Sequence, residues 1–393
     1  MKIIYIHQYF TTPEIGGGTR SYEFSKYFAE HGHKVIMIAS HNQKNFKRQQ
    51  IDGVDVQWIS NYYNNQLGIL ARIFSFNKFM LKSFLHAMKM KEVDICFATS
   101  TPLTVGITAI LLKWIKGIPY VFEVRDLWPE FPIQMGAIKS KLMQRIAYYI
   151  EYLIYKNAKS IIALSPGMRE GIEKYNLGKK VTVIPNAADL DLFYPHKINK
   201  PIEDTYGLAN RFNVIHFGSM GIANGLEYII KTARIAKNEN LSDIQFIFAG
   251  TGKTEPDLKK IVQAENLSNV KFLGHLPKTI IAEIVNICDL SIITFLDIPI
   301  LYTNSPNKLF DSLAAGKICI VNSDGWTRKL VEENDCGFFV NPSDPADFLA
   351  KIKYIKNNEP IRNKMKTNAR KLAEDGFDRK KLAEQLLEQL TES

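Results

Sequence analysis

The sequence predicts an α/β protein of two doubly wound parallel-sheet domains that face a central cleft. Its 393 residues amount to about twice the length of a common domain. Short β-branched runs alternate with helix-period segments along the chain, and the strand runs are continuously apolar, which is typical of parallel sheets covered on both faces. Hydrophobic residues make up 46% of the chain, enough for a sizeable core, so a disordered chain is excluded.

The first half shows this alternation clearly. Its predicted strands are Lys2–His7, Lys34–Ala39, Val54–Ile59, Asp94–Thr99, Pro119–Val124, Ser160–Leu164 and Val181–Ile184. Its predicted helices include Ser21–Glu30, Phe74–Met90, Leu142–Tyr155 and Met168–Tyr175. Strands separated by helices require crossover connections, and these build parallel sheets.

The second half repeats the rhythm. Its predicted strands are Phe212–Gly218, Ile244–Gly250, Val270–Gly274, Leu290–Thr294 and Lys317–Val321. Its predicted helices include Leu226–Lys237, Glu255–Glu265, Thr279–Asn286 and Pro306–Ala315, and three more follow near 345–356, 360–374 and 378–391. The two halves therefore look like two copies of one architecture.

A polar, proline-containing stretch, Pro185–Asn210, is the predicted linker. We therefore expect a first domain at 1–190, a second at 191–375, and a C-terminal helix at 376–393 that packs back on the first domain. No run approaches the roughly 20 apolar residues that a membrane-spanning helix needs.

The charge distribution and the cysteine content indicate the kind of partner and the compartment of the protein. The net charge of +10 divides unequally, because residues 1–195 carry 24 Lys+Arg and 15 Asp+Glu, while the remainder carries 26 and 25. The first half should therefore meet a negatively charged partner, with nucleic acid, anionic lipid and a phosphorylated substrate as candidates. Four cysteines without paired spacing argue against a disulfide scaffold or a zinc site and favour a reducing cytoplasm.

Glycine-rich loops follow the first strand of each half, where parallel sheets bind ligands. The first contains Gly16, Gly17 and Gly18, and the second contains Gly218, Ser219 and Asn224. Glycines let a backbone approach an anion, and the next helix supplies free N–H groups. Neither loop has a dinucleotide or P-loop spacing. The alternative for the first loop is a flexible turn.

Two later loops of the second half are further candidates. Gly250 and Gly252 border the start of a helix that Thr254 is expected to cap. In the other loop, Ser305 is the expected N-cap, and the residues grouped at the helix start are Asn307, Lys308, Leu309 and Asp311. The positive end of the helix dipole lies at the N-terminus, so a lysine there is unfavourable for helix stability. Such an unfavourable residue indicates a functional role. A Lys308–Asp311 surface pair is the alternative.

In the first half, Arg125 and Asp126 follow the strand Pro119–Val124 and should lie at the cleft. An arginine there can hold phosphate bidentately, and an aspartate can contact hydroxyls. A buried Arg–Asp pair that closes the loop is the alternative. His7, at the end of the first strand, is expected to be a structural histidine.

These motifs together resemble retaining glycosyltransferases of the GT-B fold, of the family 4 type. The residues that carry the resemblance are Gly16–Gly18, Ile162–Ser165, Val183–Asp189, Phe217–Ser219, Ala249–Gly252, Val270–Gly274, Lys308–Asp311 and Ala314–Lys317. The runs Asp126–Glu130 and Ser305–Asp311 most resemble bacterial O-antigen and capsule enzymes, including N-acetylfucosaminyltransferases that act on lipid-linked acceptors. Their order and spacing span both halves.

The resemblance implies that the second domain binds a sugar nucleotide and the first domain binds the acceptor. In the Glu-x7-Glu pattern of such enzymes, the second place is Asp311 here, which could accept from ribose hydroxyls, and the first place is Thr303. Ser219 and Asn224 occupy the places of the usual diphosphate-binding Arg and Lys. We therefore expect Lys308 to supply the missing cation, with Arg125 adding a second charge, and name Lys308, Arg125 and Asp126 as catalytic.

The expected reaction moves a sugar from a UDP-sugar to a polyprenyl-diphosphate-linked saccharide in surface polysaccharide synthesis. The expected sugar is an N-acetylated amino sugar such as N-acetylfucosamine. The resemblance implies a retaining mechanism. No acidic pair suggests a metal site, so no metal or other cofactor is expected. A sugar-nucleotide epimerase of the same fold is the alternative enzyme. A nucleic-acid-binding protein is disfavoured, since no reader motif occurs.

Two stretches of the first half are both basic and apolar, and they bear on whether the protein contacts a membrane. Residues 66–91 contain five Lys/Arg and no acid, which fits contact with an anionic membrane surface. For Lys139–Lys159, a core-facing helix with a solvated basic face is the favoured interpretation. We therefore expect a cytoplasmic protein, peripheral at the inner face of the cytoplasmic membrane.

Overall fold

The computed structural model describes residues 1–15, 17–64 and 67–392. The chain forms two units, Met1–Pro185 with Lys380–Ser393, and Asn186–Arg379. Each unit contains its own sheet, which confirms the predicted class of two doubly wound α/β domains. The two boundaries lie five residues before and four residues after the expected positions 190 and 375. The backbone N of Asn186 donates to the Ser305 hydroxyl, and Asp189 pairs with Arg379 at 3.2 Å. The first and last residues of the second unit, Asn186 and Arg379, therefore make contacts within that unit.

The first unit alternates strands and helices from its N-terminus. In chain order the elements are β1 (Lys2–Ile6), α1 (Arg20–Glu30), β2 (Lys34–His41), β3 (Lys47–Ile51), β4 (Val54–Ser60), α2 (Ile69–Ala87), β5 (Ile95–Thr99), α3 (Thr104–Lys116), β6 (Tyr120–Val124), α4 (Glu130–Gln134), α5 (Lys141–Asn157), β7 (Ser160–Ala163), α6 (Pro166–Glu173) and β8 (Val181–Val183). The predicted strands of this half are all present, with ends shifted by one or two residues.

The sheet of the first unit has the order β3-β4-β2-β1-β5-β6-β7-β8. All pairs are parallel except β3 with β4. β5 and β6 are buried along their whole length, since helices cover both faces of a doubly wound sheet. β3 was not predicted because its sequence, KRQQI, is a charged edge strand without apolar alternation. α3, also not predicted as a helix, packs against α2 and α5.

The second unit repeats this arrangement. Its elements in chain order are α7 (Lys200–Thr205), β9 (Phe212–Phe217), α8 (Glu227–Asn238), β10 (Ile244–Ala249), α9 (Glu255–Ala264), β11 (Val270–Gly274), α10 (Lys278–Ile287), β12 (Leu290–Ile293), α11 (Asn307–Ala314), β13 (Ile318–Val321), α12 (Trp326–Glu333), β14 (Gly337–Phe339), α13 (Pro345–Asn357) and α14 (Glu359–Gly376). The expected linker is therefore not an open connection, because α7 and the residues around it belong to this unit.

The second sheet is parallel throughout, with the order β11-β10-β9-β12-β13-β14. Strand order reverses at β1/β5 in the first sheet and at β9/β12 in the second. Ligands of doubly wound sheets bind beyond the carboxyl ends of the strands at such switch points. A ligand is therefore expected beyond the carboxyl ends of β1 and β5 or of β9 and β12.

The final helix, α15 (Arg379–Thr391), lies almost entirely in the first unit. There Thr182 donates a hydrogen bond to Gln389 Oε1 at 3.0 Å, and Lys180 approaches Glu392 at 3.4 Å. Its buried face consists of Leu382, Ala383, Leu386 and Leu390. The last residues of the chain thus complete the packing beside the edge strand β8.

Candidate functional site

The glycine loop after β9, Gly218–Gly225, lies directly against the loop after β10. Gly218 donates to Ala249 O at 2.8 Å, and Met220 donates to Thr251 O at 2.9 Å. A Cβ atom on Gly250 would lie 2.0 Å from Gly218 O, and one on Gly252 would lie 2.5 Å from Met220 O. Gly250 and Gly252 are therefore required because only a residue without a side chain lets the two loops pack backbone to backbone. Both glycines contact the Gly218–Gly225 loop.

Lys308 is the cation of this edge. It lies in the first turn of α11, and its Nζ approaches Asn224 Oδ1 at 3.3 Å and His216 Nε2 at 3.4 Å. Within the described ranges, no carboxylate forms an ion pair with Lys308. Burial lowers the pKa of Lys308 to about 7, because no neighbouring negative charge offsets the cost of desolvating its ammonium group. An anionic ligand would supply that charge.

His216, the penultimate residue of β9, is fully buried beneath Lys308. Burial and the nearby lysine hold the pKa of His216 well below its usual range, so the ring is neutral. The Nε2 atom of a neutral ring can accept a hydrogen bond from the Lys308 ammonium group. His216 was not predicted as a site residue, since a histidine inside an apolar strand gives no functional signal.

Asn224 joins the glycine loop to the lysine. Its Nδ2 donates to Ser219 O at 2.9 Å while its Oδ1 accepts from Lys308. The Ser219 side chain is exposed and close to Gly221, whereas Gly218 has φ +103° and lies 3.8 Å, measured from an added Cβ, from Lys308 Cε. Gly218, Ser219, Asn224 and Lys308 thus form one surface that carries a cation, and we call this surface the anion cradle.

The start of α11 differs in detail from the prediction. Ser305 is not the N-cap; Pro306 is, and the helix begins at Asn307. The hydroxyl of Ser305 instead accepts from Asn186 N at 3.2 Å, and Ser305 O accepts from Asn186 Nδ2 at 2.6 Å. Asn307 is exposed at the helix start, and Leu309 is fully buried in the core. Thr254 likewise donates to Met220 O at 2.8 Å without capping its helix through the side chain.

Asp311 has partners different from those of Lys308. It is 7% exposed, and its Oδ1 accepts from the backbone N of Asp189 at 3.4 Å. Asp189 in turn pairs with Lys278 at 3.0 Å and Arg379 at 3.2 Å. Burial raises the pKa of Asp311, and the positive charges of Lys278 and Arg379 oppose that rise. The alternative of a Lys308–Asp311 surface pair is therefore wrong.

In the first unit, the buried ion pair of the sheet edge joins Arg20 and Glu123, 2.9 Å apart, with side chains 3% and 0% exposed. Arg20 also donates to Ile184 O at 2.8 Å and to Pro185 O. Thr99 donates to the second oxygen of Glu123. The alternative of a buried pair between Arg125 and Asp126 is not found: both side chains are half-buried, and no ion pair joins them among the described residues.

Arg125 and Asp126 lie half-buried at the carboxyl end of β6. Arg125 approaches His7 Nε2 at 3.3 Å, and His7 contacts Ser21 Oγ at 2.6 Å through Nδ1. Burial and Arg125 hold the pKa of His7 well below its usual range. Burial raises the pKa of Asp126 to about 6, against the pull of Arg125. No hydrogen bond within the described part of the chain engages the Asp126 carboxyl group.

The loop after β1 is described except for Gly16, which lies outside the described residues. Gly17 has φ +95° and is exposed, and Gly18 O accepts from Thr11 Oγ1 at 3.1 Å. Gly17 and Gly18 belong to the first unit, and the anion cradle belongs to the second. Thr303 lies at the end of a 3-10 turn, where it donates to Ile300 O at 2.8 Å.

Metal ligands, membrane-spanning helices and cysteines remain to be placed among the described residues. No cluster of three or more His, Cys, Asp or Glu side chains is placed to hold a metal ion in this part of the chain. In the described ranges, no helix combines the length and apolarity needed to cross a bilayer. The four cysteines are buried and unpaired.

Comparison with known proteins identifies the class. Residues 15–192 match the family described as Glycosyltransferase Family 4, and residues 204–372 match Glycosyl transferases group 1. The chain is 24% identical over 276 residues to the probable glycosyltransferase WbjE of Pseudomonas aeruginosa, covering 68% of each chain. It is 24% identical over 304 residues to the UDP-Gal:alpha-D-GlcNAc-diphosphoundecaprenol alpha-1,3-galactosyltransferase of Escherichia coli, covering 76% of this chain and 75% of that one.

Solved structures agree on the fold. The structure of Anabaena Alr3699/HepE in complex with UDP superposes with a TM-score of 0.74 and 19% identity, over the full length of both chains. Sucrose-phosphate synthase of Thermosynechococcus elongatus gives a TM-score of 0.79 at 17% identity, covering 100% of this chain and 98% of that one. Both likenesses concern the whole two-domain architecture.

Proposed function

Since this chain is a nucleotide-sugar-dependent glycosyltransferase of the family 4 and group 1 type, we propose that it transfers a sugar from a UDP-sugar to a lipid-linked saccharide. The donor sugar proposed is an N-acetylated amino sugar such as N-acetylfucosamine. The product belongs to bacterial surface polysaccharide synthesis, either O-antigen or capsule. The amino-sugar assignment is supported by the likeness of the runs Asp126–Glu130 and Ser305–Asp311 to that branch.

One observation carries the donor assignment: Lys308 is a desolvated cation with no acid partner in the described structure, beside a glycine loop and a helix start. A diphosphate would pair with Lys308 and accept from backbone N–H groups at the start of α11. UDP is supported by the UDP complex of Alr3699/HepE and by the UDP-Gal donor in the name of the Escherichia coli relative. Asp311 is proposed to accept from the ribose hydroxyls.

The proposed chemistry is a displacement at the anomeric carbon. The bond from that carbon to the diphosphate oxygen breaks, and the acceptor oxygen forms its bond on the same face of the sugar. The acceptor proton passes to the leaving diphosphate, and this same-face attack retains the anomeric configuration. Negative charge develops on UDP, and a preorganised cation with N–H groups stabilises it in the transition state. Asp126 and Arg125 are proposed to orient the acceptor. The anion cradle supplies the positive charge, so no metal is proposed.

The acceptor is proposed to be a saccharide on a polyprenyl diphosphate, approached at the inner face of the cytoplasmic membrane. The name of the Escherichia coli relative, which acts on a GlcNAc-diphosphoundecaprenol, supports this class. The exposed side of α2 supports membrane contact, because large apolar side chains are exposed there, among them Leu70, Phe74, Leu81 and Leu85. Their spacing places them on one side of the helix.

Helix α5 has an exposed apolar face of its own. It was expected to be a core-facing helix with a solvated basic face, yet it exposes Leu142, Met143, Ile146 and Tyr149. Lys141 and Arg145 are exposed beside them. Apolar side chains flanked by Lys and Arg favour an anionic bilayer surface, where each basic residue contributes about 1 kcal/mol.

The test of function is a product assay. The purified protein is incubated with a panel of UDP- and GDP-linked sugars and a synthetic sugar-diphosphate-lipid, and product mass and released nucleotide are followed. We expect UDP release that depends on the acceptor and persists in EDTA. Lys308→Ala should lower the rate by far more than twofold, and a smaller loss refutes the role given to this residue. Epimer formation from donor alone would instead establish an epimerase.

Membrane contact is tested separately by flotation with vesicles. Binding should require phosphatidylglycerol in phosphatidylcholine vesicles and fall in the double variant Leu70→Glu/Phe74→Glu. Tyr354→Glu, which changes an exposed side chain of the second unit, is the matched control and should float like the wild type. Equal flotation of the double variant and the wild type would refute the proposed surface.

A further inference from the structure

A row of aromatic side chains runs along the carboxyl edge of the first sheet. The ring centroids are 4.9 Å apart for Tyr9 and Tyr63, 5.7 Å for Tyr63 and Phe76, and 6.4 Å for Phe76 and Trp128. Tyr9 follows β1, Tyr63 follows β4, Phe76 lies on α2, and Trp128 follows β6. Three strand ends and one helix therefore contribute to a single feature, which we call the aromatic row.

The aromatic row is not part of the hydrophobic core. All four rings are half-buried, in contrast to the fully buried Phe79 and Phe97 nearby in the fold. Contacts with neighbouring rings hold each ring in place, so the row is preorganised. A preorganised set of partly exposed aromatic faces is typical of a binding surface rather than of packing alone.

Arg125 and Asp126 connect with the row at both of its ends: along the chain with Trp128, and through His7 with Tyr9. Trp128 is two residues from Asp126, whose half-buried carboxyl group has no hydrogen-bond partner in the described residues, and Arg125 is the adjacent residue. At the other end His7 approaches Tyr9, with centroids 6.5 Å apart, and His7 also contacts Arg125 at 3.3 Å. The aromatic row, Arg125 and Asp126 therefore belong to one site.

Aromatic faces beside a carboxylate and a guanidinium group are suited to binding a sugar ring. A pyranose ring has an apolar C–H face with slight positive charge, which suits the negative face of an aromatic ring. Its edge carries hydroxyls, which a carboxylate accepts from and a guanidinium donates to. A lipid chain would desolvate the Asp126 carboxyl group and give it no hydrogen-bond partner, which is unfavourable. A sugar ring satisfies both halves of the site.

We propose that the aromatic row, Tyr9, Tyr63, Phe76 and Trp128, is the subsite that binds the acceptor's sugar ring, with Asp126 and Arg125 engaging its hydroxyls. The inference rests on the proposed transferase function for the identity of the ligand. The protein would then recognise the saccharide of the acceptor as well as the lipid and the diphosphate. Tyr9 and Trp128 would then determine acceptor specificity.

Binding is measured without donor, by saturation-transfer NMR on the full chain. The probe is N-acetylglucosaminyl diphosphate bearing a phenoxyundecyl chain, chosen because the Escherichia coli relative acts on a GlcNAc-diphospho-lipid. The control probe is phenoxyundecyl diphosphate without sugar. We expect saturation at the sugar C–H protons and a clear affinity advantage for the sugar-bearing probe. Equal affinity for the two probes overturns the inference in favour of a lipid site.

Variants locate the subsite. Trp128→Ala and Tyr63→Leu should each weaken binding of the sugar-bearing probe roughly tenfold, as expected for loss of an aromatic stacking partner. Trp128→Phe should restore most of the affinity, since it keeps an aromatic face. Trp114→Ala, which alters an exposed tryptophan on α3, is the matched control and should bind like the wild type. Unchanged binding in Trp128→Ala overturns the inference.

Two further measurements separate this inference from the proposed function. UDP affinity and thermal unfolding should be unchanged in all four variants, which shows that they fold. If the wild type transfers sugar and Trp128→Ala has an unchanged acceptor KM, the subsite is refuted while the transferase function stands. If no sugar nucleotide is turned over yet the sugar-bearing probe binds at Trp128, the transferase function is refuted and the subsite stands.

Discussion

Binding of UDP should depend on pH through Lys308. Burial lowers the pKa of this lysine to about 7 in the ligand-free protein, and Asn224 and the neutral His216 are the groups that face its ammonium. A bound diphosphate favours the charged form and must raise that pKa. Binding is therefore strongest below pH 7, where Lys308 is already protonated, and weakens as the pH rises above 7.

The magnitude follows from the pKa. At about pH 8 roughly one tenth of the lysine is protonated and at about pH 9 roughly one hundredth, so the Kd should rise about tenfold per unit, or about 1.4 kcal/mol. The rise continues until the pH reaches the pKa of Lys308 in the complex. The charge of UDP changes little in this range, since the second pKa of a phosphate is about 6.

Isothermal titration calorimetry in two buffers of different ionisation enthalpy measures both the Kd and the protons taken up. The wild type should take up close to one proton per UDP at about pH 8.5. Lys308→Met should bind UDP weakly and without pH dependence. Lys308→Arg keeps its charge at every pH and should also lose the slope. A wild-type Kd that is flat from about pH 7 to 9, or the same slope in Lys308→Met, would refute the reasoning.

Three further outcomes are expected. Arg20→Met leaves the buried Glu123 without its cation and should lower the free energy of unfolding by about 3–5 kcal/mol in urea; adding Glu123→Gln should recover part of this loss, and no recovery would contradict the pairing. Gly250→Ala places a Cβ 2.0 Å from a backbone oxygen and should lower the Tm strongly, whereas Gly376→Ala meets nothing within 4 Å and should not; equal Tm values would contradict the packing account. Asp126 has a pKa near 6, so transfer should fall below about pH 6 as its carboxylate is protonated, and Asp126→Asn should be slow and lack that limb of the pH–rate profile.

Most elements of the fold could be predicted from local patterns. Continuous apolar runs located β5 and β6 because both faces of a parallel sheet are covered. The strand β3 escaped detection because it is charged and lies at the sheet edge, where one side needs no apolar residues. Helix α3 escaped because it is apolar nearly all round, so its periodicity is weak, and it packs against both α2 and α5.

The candidate site was predictable only in part. The helix-start position of Lys308 gave a local signal, since a lysine there opposes the helix dipole. Its neighbour His216 gave none, because 92 residues separate the two in the chain. Ser305 was expected to cap α11, yet a contact with Asn186, 119 residues away, takes up its hydroxyl. The aromatic row likewise combines residues from four separate segments.

The sequence by itself determined the two-domain α/β architecture, the loops that end at each switch point and the class of enzyme, because periodicity, glycine spacing and motif order are properties of short stretches. Only the tertiary structure decided which charges lie together. Arg20 pairs with Glu123 rather than Arg125 with Asp126, and Asp311 lies beside Asp189 rather than Lys308. The physical reason is that the free energy of a buried charge depends on the partners that packing brings to it, and those partners lie far away along the chain.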